Sequence, residues 1–228
     1  MEIELKKSSV FSVAILKESA SLSLKQFFPL LGAWTVSLFG PVMLMGVGVI
    51  VGLIIDKMIF HLKDAGPASL IGLVIPGLLI SGFYAGWIFI TLKVARQESV
   101  HMTNLFRPIS QMFSAAIVLI LCTLATAIPS ALVIVSPILF LKFQLAPFYV
   151  VDQGYGPIQA MKRSWLDTNR IFVPLAILDL VFAAIATVGA VTVVVPFLVL
   201  MVQSVATAIV YTRWIMNDEL DEIEMGED

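Results

Sequence analysis

Six long apolar stretches constrain this chain more than any other feature of its sequence. They cover residues 28–55, 68–92, 112–135, 137–151, 171–193 and 195–214. About 20 apolar residues in a helix cross a hydrocarbon core of about 30 Å, and five of the six stretches are that long. Because a segment in lipid must satisfy its own backbone hydrogen bonds, the stretches predict transmembrane helices rather than strands.

The composition supports the same fold class. Hydrophobic residues make up 59% of the 228 residues and charged residues 13%, whereas soluble domains are about 45–50% apolar and about 25% charged. This excludes a soluble enzyme, a nucleic-acid-binding protein and a disordered chain. We predict an all-α polytopic membrane protein in which residues 1–216 form one six-helix domain and residues 217–228 form an acidic cytoplasmic tail.

The third and fourth stretches run into each other. Apolar sequence continues almost unbroken over residues 113–151, with Pro129 and Pro137 inside it. Because proline ends or kinks a helix, we place the reversal near Ser136–Pro137. The fourth stretch then has 15 residues, so it must be tilted, extended past Asp152 or shielded by neighbouring helices.

Basic residues predict how the chain is threaded. Eleven of the 14 lysines and arginines lie in four connections on one side of the predicted membrane: residues 1–27, 93–111, 152–170 and those from 213 onward. Two, Lys57 and Lys63, lie on the other side. Such a bias marks the cytoplasmic side, so we predict that both termini face the cytoplasm and that the loop near 56–67 faces outward.

A sequence repeat indicates helices that lead into the spans. Residues 17–30 align with residues 162–175, and a weaker third copy covers residues 105–113. The helix is clearest at 157–170, where apolar and basic residues recur at helical spacing: Ile158, Met161, Lys162, Arg163, Trp165 and Arg170. We predict three hairpins, each preceded by an amphipathic helix in the cytoplasmic interface. The alternative is an ordinary loop helix packed on the bundle.

A resemblance to a known family rests on one stretch of sequence. Leu145–Gly154 (LAPFYVVDQG), followed by Gly156-Pro157 and Ala160–Trp165 (AMKRSW), resembles the membrane domain attached to some bacterial glycerophosphoryl diester phosphodiesterases and related stand-alone membrane proteins. The connection Leu92–Phe106 is similar to an earlier connection of that family. The resemblance implies a six-helix bundle in the bacterial cytoplasmic (inner) membrane. No phosphodiesterase barrel accompanies these residues, so it gives no reason to expect hydrolysis.

Residues for conventional catalysis are scarce. The predicted threading puts His61 and His101 on opposite sides of the membrane, and Cys122 has no histidine near it in the sequence. Neither metal-ligand spacing nor a phosphate-binding glycine motif is present. We therefore predict no enzyme activity, no cofactor and no metal site.

Two ionisable residues lie inside predicted spans. Lys142 and Asp179 fall at depths of about 15 and about 12 Å if both helices are straight. An unpaired charge there costs at least about 2.5–3.5 kcal/mol, so we predict that they form a buried ion pair. The functional alternative is an ion or proton relay in which Gln144, Gln203 and Ser204 add polar lining.

Small residues indicate close helix packing. Gly48 and Gly52 lie one turn apart in the first stretch, as do Gly82 and Gly86 in the second. Because small faces let helix backbones approach in lipid, we expect both pairs to pack within the first hairpin.

The predicted function is non-enzymatic. We expect a structural, accessory or assembly component of the membrane that contacts membrane lipids, partner membrane proteins or a second copy of itself. The alternative is a transporter or channel lined by Lys142 and Asp179.

Overall fold

The described part of the chain is helical throughout. The computed structural model describes residues 2–59, 66–127, 135–192 and 194–215, which form helices and no strands. The main elements are α1 (Glu2–Lys25), α2 (Phe27–Met58), α3 (Pro67–Ala95), a 3₁₀ segment (Met102–Gln111), α4 (Met112–Ala127), α5 (Val135–Phe143), α6 (Ala146–Gln153), α7 (Pro157–Val188) and α8 (Val194–Val210). The all-helical class is confirmed. His61, Lys63 and the acidic tail 217–228 lie outside the described residues.

Several of these helices suit a membrane. Four helical segments are long and apolar enough to cross one: Phe27–Met58, Val135–Gln153, Pro157–Val188 and Val194–Arg213. The 3₁₀ segment and α4 meet at 83° and make a fifth crossing if they are counted as one bent span. These helices agree with the predicted membrane class, while the count of six spans in three hairpins stays a prediction.

The third and fourth apolar stretches differ from their predicted bounds. Of the helix predicted over 112–135, the structure describes α4 as far as Ala127, and residues 128–134 lie outside the described residues. Val135 already belongs to α5, so Ser136 and Pro137, where the reversal was predicted, lie in the first turn of that helix. The fourth stretch runs to Gln153 and breaks at Gln144 and Leu145 into α5 and α6. The break has a physical cause, because Pro147 has no N–H to donate to a carbonyl one turn earlier. Residues 146–151 of α6 are all buried, so neighbouring helices shield this stretch.

The repeat has a structural counterpart. Gln26 separates α1 from α2 with φ −115° and ψ 32°, and Ile171 kinks α7 with φ −115° and ψ 17°. In the third copy the equivalent residue is Gln111, where the 3₁₀ segment gives way to α4. The first two copies therefore break at the same aligned position, and the third bends close to it, with non-helical dihedral angles at Pro108.

Burial follows the repeat as well. Aligned residues in and just before the copies at 17–30 and 162–175 are buried together: Ile15 and Ala160, Ser19 and Ser164, Leu22 and Asp167, Ser23 and Thr168, and Leu30 and Leu175. The same stripe of these two copies therefore packs inward, and its side chains are small, polar or apolar.

α2 and α7 lie further out in the bundle than α5–α6 and α8. Only 12% of the apolar window of α2 and 17% of that of α7 are buried inside the chain. The corresponding shares are 44% for α5–α6 and 50% for α8. The inner helices therefore form the core of the bundle, and the outer ones leave long apolar faces uncovered.

The connections that were predicted to be cytoplasmic meet at one end of the bundle. The Arg96 Nη2 atom lies 2.7 Å from the Asp152 carboxylate, and the Gln26 side-chain amide donates to the Glu98 carbonyl at 3.0 Å. Arg213 pairs with Glu18 at 2.5 Å. These contacts agree with the predicted threading, and the side of the membrane on which this end lies stays a prediction.

The glycines of α2 bring two helix backbones together. A Cβ atom on Gly52 would lie 2.4 Å from the Ser69 Cα atom, and one on Gly72 would lie 2.1 Å from the Gly48 carbonyl oxygen. Gly48 and Gly52 therefore pack against α3, as expected, with Gly72 as the partner that the sequence analysis missed.

The second glycine pair packs elsewhere. A Cβ atom on Gly86 would lie 1.9 Å from the Leu105 carbonyl oxygen, and one on Gly82 would meet the Met112 side chain. The expectation that Gly82 and Gly86 pack within the first hairpin is therefore wrong. The chain turns back after α3, so the 3₁₀ segment folds onto the C-terminal half of α3 and becomes its closest neighbour.

Candidate functional site

Lys142 is buried at the end of α5 and is held by residues of α7. Its Nζ atom donates a hydrogen bond to the Asn169 Oδ1 atom. It also lies 5.0 Å from the centroid of the Phe172 ring and 5.5 Å from that of Trp165. Ser164 donates to the Lys142 carbonyl at 2.6 Å. The ammonium group therefore has an amide oxygen and two aromatic faces as its partners.

Asp179 has a different set of partners. The Gln203 Nε2 atom of α8 donates to its Oδ1 atom at 3.0 Å, and the Gln144 side chain faces the same carboxylate. The predicted ion pair between Lys142 and Asp179 is therefore wrong. Because α5 and α6 do not form one straight helix, Lys142 lies level with Asn169, and Asp179 lies ten residues, or about 15 Å, further along α7.

Because Lys142 and Asp179 have separate partners, we predict that their contributions to the stability of the protein are independent. In a double-mutant cycle of Lys142→Met and Asp179→Leu, we expect an interaction free energy below about 0.5 kcal/mol. The matched cycle of Lys142→Met with Asn169→Leu should give about 1 kcal/mol, because those two groups share a hydrogen bond. Unfolding in detergent measures both, and stronger coupling to Asp179 than to Asn169 would contradict the structure.

A cavity of about 340 Å³ lies between α3, α4, α5–α6 and α8. Aromatic and aliphatic side chains form much of its wall: Tyr84, Trp87, Ile88, Leu119, Phe140, Phe143, Phe148 and Leu200. Gln144 and Gln203 line it too, so the cavity reaches the two amides that face Asp179. Lys142 does not line it.

The threonine and serine hydroxyl groups in the cavity wall are hydrogen-bonded to their own helices. Each donates to a carbonyl three or four residues earlier at 2.7–3.0 Å: Thr91, Thr123, Thr126, Ser204 and Thr207. In contrast, the Gln144 Nε2 atom and the Asp179 Oδ2 atom are buried without a hydrogen bond of good geometry. The polar end of the cavity therefore holds the Gln144 amide, which faces the Asp179 carboxylate without a hydrogen bond of good geometry.

A network of tyrosines and carboxylates surrounds α6. Tyr211 donates to the Asp152 carboxylate at 3.2 Å, beside the Arg96 contact. Tyr149 donates to Asp167, and Arg163 pairs with the same carboxylate at 2.9 Å. Apart from the Arg163–Asp167 pair within α7, these contacts join residues 18 to 59 positions apart in the chain. They tie α6 to α3, α7 and the turn after α8.

This network was not predicted, although Tyr149, Asp152 and Arg163 lie in the stretch that carries the family resemblance. Asp167 is buried together with Ala160, Ser164 and Thr168. Charged and hydroxyl residues repeating at helical spacing were the signal for a buried polar stripe.

The opposite side of the same helix is exposed. Ile158, Trp165 and Leu166 are exposed apolar residues, and Lys162 and Arg170 are exposed basic ones. Met161 is half-buried. The helix therefore turns a small and polar stripe to the bundle and an apolar and basic one outward.

The remaining candidates are few. His101 is exposed, and Cys122 lines the cavity. Among the residues that the structure describes, no three His, Cys, Asp or Glu side chains lie close enough together to ligate one metal ion. No protein-family model, curated protein or solved structure matches this chain. The resemblance to the phosphodiesterase membrane domain stays a prediction.

Proposed function

We propose that this chain is a non-enzymatic integral membrane protein that serves as a structural, accessory or assembly component. Lipid surrounds most of its outer surface, and helices of a partner protein or of a second copy contact the exposed face of α2. The observation that carries the proposal is the surface of α2, which is apolar on all sides and mostly uncovered by the rest of the chain.

The exposed face of α2 is continuous along the helix. Met43, Val47, Ile50 and Ile54 recur at helical spacing, and all four are exposed. A helix that is apolar all round needs lipid or other helices around it, and small residues such as Gly46 on this helix favour close helix contacts in lipid. A Cβ atom on Gly46 would meet nothing within 4 Å, so this position is open to a partner.

The proposed setting is the bacterial inner membrane, crossed six times in three hairpins with both termini in the cytoplasm. The meeting of the basic connections at one end of the bundle supports this threading. The exposed Ile158 and Trp165 beside Lys162 support an interfacial position for residues 157–170.

Photocrosslinking in native membranes tests the proposal. A benzoylphenylalanine at Val47 is expected to give a protein adduct of discrete mass, which identifies the partner or a second copy. The matched control is the same replacement at Leu180, which is equally apolar and exposed but lies on α7. Lipid adducts alone at both positions would contradict a partner on α2.

The second candidate function is a small-solute transporter or channel. The cavity favours it, because Gln144 and Gln203 bring polar groups and the Asp179 carboxylate into the middle of the bundle. Lys142 is turned toward Asn169 and away from this lining. Solute uptake into proteoliposomes that is lost with Asp179→Asn would favour transport over the accessory role.

A further inference from the structure

We infer that the cavity between α3, α4, α5–α6 and α8 binds one neutral lipid-type molecule, an apolar chain that carries an uncharged oxygen group. This inference concerns the ligand of the cavity and does not depend on what α2 contacts.

The size and wall of the cavity suit an apolar chain. Its volume of about 340 Å³ lies within the range of about 300–1,000 Å³ that is typical of small-ligand sites. Trp87, Phe143 and Phe148 present aromatic faces to it. An apolar chain that enters there fills space that the side chains leave open and gains van der Waals contacts with the wall.

The mouth of the cavity opens sideways, between helices. Three of its lining residues are exposed on the outer surface: Thr123 of α4, Phe140 of α5 and Leu200 of α8. Each lies within a strongly apolar helix, and two of the three side chains are themselves large and apolar. A molecule that enters between them therefore comes from the hydrocarbon region rather than from water.

The polar end of the cavity selects the chemical class of the ligand. The threonine and serine hydroxyls in the wall already donate to helix carbonyls, and Gln144 Nε2 is a buried amide donor without a hydrogen bond of good geometry. An unsatisfied buried N–H costs about 1–3 kcal/mol. A hydroxyl, carbonyl or ether oxygen on the ligand would accept this hydrogen bond.

Charge argues against an anionic ligand. The Asp179 carboxylate lies directly behind Gln203, at 3.0 Å from its amide nitrogen, and would repel a carboxylate or phosphate in the cavity. Lys142, the nearest basic residue on α5, is occupied by Asn169 and two aromatic rings. The oxygen group of the ligand is therefore uncharged.

A series of ligands tests both the apolar chain and the oxygen group of the proposed ligand. The purified full-length protein in nanodiscs is labelled with a diazirine analogue of hexadecanol, and unlabelled hexadecanol, hexadecane, palmitate and hexadecylamine compete. We expect saturable labelling of α4 and α8 peptides, with hexadecanol the strongest competitor. Gln144→Leu should weaken the binding of hexadecanol about tenfold, because one hydrogen bond from a buried amide is lost. The binding of hexadecane should not change.

A matched pair of threonines tests whether the ligand binds in this cavity. Thr207 lines the cavity and Thr187 lies exposed on α7, and both hydroxyls bond to the carbonyl four residues earlier. Thr207→Phe should abolish saturable labelling, whereas Thr187→Phe should leave it intact. If Thr207→Phe does not fold, Ser204→Phe fills the same cavity from a half-buried position.

Three results would overturn the inference. Labelling that does not saturate, or that survives both filling variants, means lipid on the outer surface only. Stronger competition by palmitate or hexadecylamine than by hexadecanol means a charged ligand. An unchanged hexadecanol affinity in Gln144→Leu removes the amide as the polar anchor.

Discussion

Replacing Asp56 by alanine is expected to destabilise the folded protein by about 3 kcal/mol. The Asp56 side chain lies at the end of α2 and is buried, with 1% of its surface exposed. Its carboxylate accepts hydrogen bonds from the backbone N–H groups of Gly66, Ala68 and Ser69 at 2.9–3.0 Å. It therefore caps the first turn of α3 from a neighbouring helix, where Gly66 itself offers no side chain to do so. Equilibrium unfolding in mixed SDS and detergent micelles measures the loss.

Two further variants show whether the carboxylate is responsible. Ser69→Ala removes one neutral hydrogen bond to the Gly66 carbonyl and should cost about 1 kcal/mol. Asp56→Asn keeps one acceptor oxygen and should fall between the other two variants. A loss no greater for Asp56→Ala than for Ser69→Ala would show that the three N–H groups find other acceptors.

Features that depend on local pattern could be predicted from the sequence. The repeat places the change of direction after Lys25 and after Arg170, and the structure breaks at Gln26 and kinks at Ile171. Helix starts were also readable, because Pro157 follows Gly156 at the N-terminus of α7. The length of an apolar stretch and the spacing of its glycines can likewise be recognised from neighbouring residues alone. The helical class and the packing of Gly52 against α3 could therefore be expected.

Features that depend on which helices meet could not be predicted from the sequence. The depth estimate for Lys142 assumed a straight helix through α5 and α6, although Pro147 was a visible signal for the break. Without that break the lysine was placed level with Asp179 instead of Asn169. The capping by Asp56 joins residues that were both assigned to an outer loop, and the network of Tyr149 and Asp167 joins separate helices. One sequence carries no signal of such distant pairings.

Adding a methyl group at three glycines should separate a backbone clash from a change in helix propensity. Gly86→Ala is expected to cost about 3 kcal/mol or prevent folding, because its Cβ atom would lie 1.9 Å from the Leu105 carbonyl oxygen. Gly82→Ala should cost less, since its Cβ atom would lie 3.1 Å from the sulfur of Met112, a flexible side chain. Gly46→Ala, with nothing within 4 Å of the new atom, should be neutral or stabilise α2 by a few tenths of a kcal/mol.

The order of these three variants matters more than any single value. All three add the same group to an apolar helix, so differences in intrinsic helix propensity are similar and largely cancel. The unfolding midpoint in detergent should therefore fall in the order Gly46→Ala, Gly82→Ala, Gly86→Ala. Equal effects at Gly46 and Gly86 would mean that the 3₁₀ segment does not pack on α3.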